Sequence, residues 1–177
     1  MNKPIIETSR IILREFEPND YKDVYEFGSN KTVQKYTGDP LLTSIEEAKK
    51  LISDVWLTDY KKYGFGRWAT IYKPTNKLIG FTGLKFLPDL NLVDIGFRYL
   101  PDYWNKGIAT EASKEILKYG FELLKLNEIF GIAYTENIAS CKVLKKIGLK
   151  FYKQDEFDGD GKLTNWYKLE KNDFNLI

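Results

Sequence analysis

The chain has 177 residues, with 27 Lys plus Arg against 25 Asp plus Glu for a formal net charge of +2, 43% hydrophobic and 15% aromatic residues. That length and apolar content suit one domain with a proper core and exclude disordered, collagen-like and low-complexity classes. The near-balanced charge argues against a dedicated duplex nucleic-acid binder, and a histidine count of zero removes Ser-His-Asp triads, Cys-His dyads, HExxH zinc sites and phosphohistidine chemistry.

A single cysteine, Cys141, precludes an internal disulfide and any CxxC redox or zinc site. Catalysis is left to carboxylates, tyrosines, lysines, hydroxyls and backbone amides. Residues 1–7, Met1-Asn2-Lys3-Pro4-Ile5-Ile6-Glu7, lack the long apolar core of a secretory peptide. The most apolar helical stretches are interrupted by Lys and Glu. A reduced, cytoplasmic protein without a membrane partner is expected.

In chain order, residues 10–16 read as a strand with β-branched content. Pro18 and Asn19-Asp20 end it, and Tyr21, Val24 and Tyr25 recur at helical spacing. Ser44-Ile45-Glu46-Glu47 has the capping-box pattern, with the hydroxyl and the carboxylate satisfying orphan amides reciprocally. The helix it opens carries Ile45, Ala48, Ile52, Val55 and Trp56 on one face and should fade before Gly64. Strands follow at about 66–73 and 77–87, turning at Pro74-Thr75-Asn76, and at 92–100, ending at Pro101. A long helix is predicted over about 106–125, with Ala109, Ala112, Ile116, Gly120 and Leu123 as its stripe. Strand 128–134 leads to Asn137 as N-cap of a short helix ending at Gly148. Strands 149–157 and 162–170 close the chain around Asp158-Gly159-Asp160-Gly161, a hairpin signal. No repeat or linker divides this order, which predicts one mixed α/β or α+β domain over 1–177.

The stretch from Ile95 to Ala112 is a strand, a short glycine-bearing loop and the start of a buried helix. There, consecutive backbone N–H groups and the positive end of the helix dipole could cradle a pyrophosphate. Lys106 would add charge, Gly107 close approach and Thr110 a hydroxyl. Gly107 as a plain turn residue and Ala109 as plain core fit the same letters. A P-loop is excluded because Lys106 precedes Gly107, and a dinucleotide fingerprint because position 110 is Thr. Downstream, Asn137 and Ser140 share one face at a helix N-terminus, where both residue types also serve as ordinary caps.

Together these segments resemble the GNAT superfamily of N-acetyltransferases. Trp104-Asn105-Lys106-Gly107-Ile108-Ala109 is similar to its acetyl-CoA loop, Arg/Gln-x-x-Gly-x-Gly/Ala, with Trp104 standing where Arg or Gln is usual. The run on through Thr110-Glu111-Ala112, the later Asn137-x-x-Ser140 and Lys146-x-Gly148, and the opening Thr8-Ser9-Arg10-Ile11-Ile12-Leu13-Arg14 look like its RimJ/RimL-like branch of ribosomal-protein N-terminal acetyltransferases.

The resemblance implies a single GNAT-like domain with a central twisted mixed sheet of about seven strands, splayed between the fourth and fifth, and about four flanking helices. It implies acetyl-CoA as cosubstrate, with no metal, and an amine acceptor: a ribosomal or other protein N-terminus, or a small-molecule amine. Backbone groups of Phe97, Arg98 and Tyr99 would meet pantetheine. Residues Trp104, Asn105, Lys106, Gly107, Ile108, Ala109 and Thr110 would surround the pyrophosphate, and Asn137 would hydrogen-bond the pantetheine arm. Ser140 would stabilise or protonate the thiolate. Glu156 is the first candidate for general base and Asp94, acting through a water, the second; either needs burial to work well, and either could be a solvated strand acid. Cys141 reads as a helix residue.

Asp155, Glu156, Asp158 and Asp160 form either a solvated turn or an acidic lip. Tyr36, Trp56, Tyr60, Tyr63 and Phe65 belong to the acceptor region or the core. Two other readings stand beside the enzyme: a non-catalytic CoA binder, and an RNA-binding module suggested by Tyr63-Gly64-Phe65-Gly66-Arg67-Trp68-Ala69, which partly resembles an aromatic RNP1 strand. No nucleic-acid partner is expected, and the oligomeric state is monomer or homodimer.

Overall fold

The structure, a computed structural model, describes residues 6–157 and 161–174. Its strands are β1 (Ile6–Glu7), β2 (Ile11–Arg14), β3 (Arg67–Tyr72), β4 (Lys77–Leu87), β5 (Leu92–Tyr99), β6 (Glu128–Tyr134), β7 (Lys150–Glu156) and β8 (Leu163–Glu170). They form one sheet in the order β1-β2-β3-β4-β5-β6-β8-β7. The helices are α1 (Tyr21–Gly28), α2 (Lys31–Gln34), α3 (Ile45–Lys50), α4 (Leu57–Tyr63), α5 (Ile108–Lys118), α6 (Ile138–Lys146) and α7 (Lys171–Phe174). This is the expected mixed α/β GNAT-like domain, with the two-residue β1 and the four-residue α2 and α7 added to it.

Central strands are buried on both faces, as their dense apolar runs demand. On one face Trp68, Ile79, Ile95 and Tyr99 pack against Ile108, Ala112 and Ile116 of α5 and Leu144 of α6. On the other, Ala69, Ile71 and Phe81 pack against Val24 and Phe27 of α1, Ala48 of α3 and Ile52 and Trp56 beyond it. Phe16 stacks on Trp56 at a centroid distance of 3.9 Å.

Several local readings are refined by hydrogen bonding. Strand 10–16 stops at Arg14 because the Phe16 N–H donates to the Tyr60 hydroxyl at 3.1 Å, and Arg14 and Glu17 both donate to the Asp20 carboxylate. The Ser44 hydroxyl caps α3 by accepting from the Glu47 N–H at 3.2 Å. The Glu47 carboxylate returns one residue earlier than the box pattern expects, to the Thr43 N–H at 2.6 Å. A π-helical segment, Leu51–Trp56, joins α3 to α4, and a second, Tyr119–Leu123, extends α5. The wider π turn shifts the helical phase, so Phe121 is buried while Leu123, expected in the stripe, is 71% exposed. The hairpin residues 158–160 lie outside the described residues; the strands on either side of them pair antiparallel as expected.

β1 to β5 are joined antiparallel, as are β6, β8 and β7. Between the two groups β5 and β6 run parallel, connected through α5, and share one register pair, Asp94↔Phe130. These are the fourth and fifth strands of the predicted order, and they separate beyond Asp94, so the β5 edge over 95–99 has no ladder partner on that side.

β4 presses closely on β5: Gly80 sits at a φ of +145°, and a Cβ there would run into the Arg98 carbonyl oxygen. Gly80→Ala should therefore lower the unfolding free energy by about 1–3 kcal/mol, measured by urea denaturation. An unchanged midpoint would show that β4 and β5 tolerate a side chain at this crossing.

Candidate active site

A cleft of about 550 Å³ opens where β5 and β6 part. Its lining joins Asp94, Gly96, Phe97 and Arg98 of β5 with Ile132 and Tyr134 of β6, Asn137 and Ser140 at the start of α6, and Trp56, Tyr36 and Asp39 from the helical side. Residues 46 positions apart in sequence, Asp94 and Ser140, thus face one space. Glu156 is exposed, accepts the Gly161 N–H at 2.7 Å and is not part of that lining. Asp155 pairs with Lys153 at 2.6 Å, while Asp158 and Asp160 lie outside the described residues.

Asp94 closes the crotch of the split. Its Oδ1 accepts the Ile132 N–H of β6 at 3.3 Å, and its Oδ2 takes Arg67 Nη2 at 2.5 Å. Arg67 also donates to the Gly83 and Asp94 carbonyls. Its guanidinium lies flat on Gly96, where a Cβ would come within 2.5 Å of Cζ. Burial pushes the Asp94 carboxyl above the ordinary carboxylate range, against the downward pull of Arg67. A buried, partly compensated carboxylate is a stronger base than a solvated one.

The loop after β5 leaves a helix N-terminus open, an arrangement that could take an anion. Asn105 and Gly107 both adopt left-handed φ, 57° and 77°, and Gly107 is the N-cap of α5 with no side chain capping the helix. The atom nearest a Cβ on Gly107 is Arg10 Nη2, at 3.7 Å, so the amides of the first turn are open to an approaching group. Trp104 turns its indole N–H back onto the Tyr99 carbonyl at 2.7 Å, which makes it a brace for the loop. The Tyr99 hydroxyl bonds Thr82 and Thr70, and burial pushes it up to about 12, so it stays protonated near neutrality. Lys106, Ile108, Ala109 and Thr110 follow on this loop and turn, Ile108 buried.

A brace that sequence reasoning missed ties this loop to the turn between β1 and β2. Glu111 receives the Thr8 hydroxyl at 2.5 Å and Arg10 Nε at 2.7 Å, and Arg10 Nη1 donates to the Lys106 carbonyl at 2.9 Å. Thr8, Arg10 and Glu111 stand out in the sequence as motif letters, but nothing local pairs residues 101 positions apart.

Asn137 spends its side-chain oxygen on the Ser140 N–H at 3.1 Å, capping α6, which leaves its amide N–H₂ for another partner. Cys141 is buried, with its thiol against the Tyr134 carbonyl at 3.8 Å. Tyr36 and Trp56 reach the cleft, whereas Tyr60, Tyr63 and Phe65 pack in or against the core. Trp68 and Phe65 are buried and Gly64 is the left-handed C-cap of α4, so the 63–69 segment presents no stacking platform for bases. Among the described residues no group of three or more His, Cys, Asp or Glu side chains could hold a metal ion, and no helix is long and apolar enough to cross a membrane.

A split parallel strand pair with an open helix N-terminus beside it is the geometry that the sequence resemblance implies for a GNAT-like acyltransferase. The family comparison agrees: residues 10–150 match the Acetyltransferase (GNAT) domain, and the chain belongs to that family of acyltransferases. It is 33% identical over 148 residues, 83% of each chain, to YoaA, an uncharacterized N-acetyltransferase of Bacillus subtilis (strain 168). A GNAT-family acetyltransferase structure from Bacillus anthracis superposes with a TM-score of 0.82 at 26% identity, covering 94% of this chain and 98% of that one. The RimL ribosomal L7/L12 α-N-protein acetyltransferase, solved with coenzyme A, shares the fold at a TM-score of 0.81 and 16% identity over 95% and 98% of the two chains.

The loop brace has a pH signature. Desolvation raises the Glu111 carboxyl, but the Thr8 hydrogen bond and Arg10 outweigh it and hold the group below its usual value of 4.5. A carboxyl depressed in the folded state stabilises the fold above its unfolded pKa and loses that contribution as pH falls through the folded one. Glu111→Gln should therefore destabilise the protein at pH 6 and much less at pH 3, by urea denaturation. An equal loss at both pH values would mean the carboxylate's charge plays no part.

Proposed function

We propose that the protein is an acetyl-CoA-dependent N-acetyltransferase that delivers the acetyl group directly to a primary amine. The observation that carries the reading is the split between β5 and β6, whose cleft gathers Asp94, Asn137 and Ser140. The unpaired edge of β5 over 95–99 is suited to the pantetheine amides, with the Asn137 amide opposite. The open amides from Asn105 to Thr110, with Lys106 beside them, suit the pyrophosphate. RimL, solved in complex with coenzyme A, shares the fold.

Bound acetyl-CoA supplies an activated thioester: the amine nitrogen forms a bond to the acetyl carbon, the carbon–sulfur bond breaks, and the amine loses a proton while the thiolate gains one. Asp94 takes the amine's proton, through a water where contact is not direct. Arg67 holds that carboxylate still, and burial keeps it basic. Ser140, at the positive end of α6, donates toward the departing thiolate. Glu156, exposed and tied to Gly161, is less well sited as the base than Asp94.

Acetyl-CoA at about 100 times its Kd should stabilise the protein by roughly 2.7 kcal/mol in thermal melts. No shift at millimolar ligand would refute the reading. Ser140→Ala should lower kcat by roughly a hundredfold while Kd for acetyl-CoA changes little, and Asp94→Asn should cost more activity than Glu156→Gln. A Ser140→Ala defect confined to cofactor affinity would reduce that residue to a binding contact. Tight binding of acetyl-CoA with no thiol release toward any amine would favour the non-catalytic binder.

A further inference from the structure

The acceptor half of the cleft contains a cation whose partner is easily exchanged. Asp94, Gly96 and Arg98 alternate along β5 onto the face that carries α1 to α4, and the Arg98 guanidinium lies over the Phe81 ring, 5.2 Å from its centroid. Its side chain is 12% exposed, yet the carboxylate that neutralises it, Asp39, is 62% exposed and sits on the 35–44 connection between α2 and α3. The pair is held by one contact, Nη2 to Oδ2 at 2.6 Å. The other guanidinium donors have no protein partner among the described residues, although a guanidinium can engage a carboxylate through two parallel bonds.

Arg67, the second arginine of the cleft, is committed to Asp94 and two carbonyls. Lys85 lines the same space, so among the described residues the cleft lining holds three cations against two carboxylates. Burial also keeps Arg98 below the ordinary arginine value, opposed by Asp39, as expected for a desolvated cation that benefits from better pairing. That balance disfavours a polycationic acceptor and suits one that brings its own negative charge.

From this geometry we infer that the acceptor is a small primary amine bearing a carboxylate, and that Arg98 binds this carboxylate in place of Asp39. The inference rests on the acetyltransferase reading above and adds the substrate class. Asp39 then serves as a stand-in anion, keeping Arg98 paired until the acceptor arrives and lowering affinity by competition.

Matched acceptors test this with the intact protein: 4-aminobutyrate against butylamine, alanine against alaninamide, and the triamine spermidine. Thiol release at saturating acetyl-CoA gives kcat and KM, and calorimetry gives binding of the same amines without acetyl-CoA. Carboxylate-bearing amines should be preferred by at least about tenfold in kcat/KM. Arg98→Gln should abolish that preference through KM. Asp39→Asn, which frees the guanidinium without touching the core, should do the opposite and lower KM for the carboxylate-bearing amines. Preference for butylamine or spermidine, no binding or turnover of any carboxylate-bearing amine, or an Asp39→Asn variant with unchanged or raised KM would overturn the inference. Failure of acetyl-CoA to bind would instead contradict the acetyltransferase reading, and the calorimetric comparison of wild type with Arg98→Gln would still decide the role of Arg98.

Discussion

The Arg67–Asp94 ion pair holds the active cleft open at a fixed point. It links β3, through Arg67, to the strand β5 at the last residue that pairs with β6. The same Asp94 accepts the N–H of Ile132, two residues along β6 from its register partner Phe130. With both side chains about 12% exposed, this pair is costly to desolvate and more costly to break, because either partner alone would be a buried uncompensated charge. Gly96 exists in this geometry because only a glycine lets the guanidinium lie against β5. The cleft and the unpaired strand edge begin at that contact, and the burial that encloses it raises the Asp94 carboxyl against the opposing pull of Arg67.

Two further braces carry the geometry outward. Trp104 binds back to Tyr99, and Arg10 with Thr8 fastens Glu111 and the Lys106 carbonyl. The result is a loop held by side chains, with the Trp104 N–H bonded to the Pro101 carbonyl and the helix start at Gly107 left without a side-chain cap. On the proposed reading this accounts for Trp104 in a position where an Arg or Gln is usual: the residue supports the loop from behind, and the main chain and the helix dipole would take the anion. On the opposite side of the sheet, the connection bearing Asp39 meets Arg98 through one exposed carboxylate, so the acceptor side is the less rigidly held of the two.

Much of this was legible where a local rule governs the chain. Ser44, Gly64, Asn137 and the β6 limits follow from capping chemistry and period-two patterning, and the glycine loop at 104–110 from its position between a strand and an apolar helix. What escaped the sequence is non-local or phase-dependent. The Tyr119–Leu123 π turn turns Leu123 outward without any letter announcing it. Arg67 lies 27 residues from Asp94 and Arg10 lies 101 from Glu111, and no periodicity connects such pairs. Asp94 and Glu156 looked alike as strand acids, and burial alone separates them: one is sealed against Arg67, the other faces solvent.

The most direct measurement is amide hydrogen exchange with and without acetyl-CoA. If pantetheine lies along the free edge of β5 and the pyrophosphate on the α5 loop, protection should rise over 95–99 and over 105–110, with little change along the β6–β8 ladder. Acetyl-CoA binding that left both stretches unprotected would contradict the placement of the site between β5 and β6.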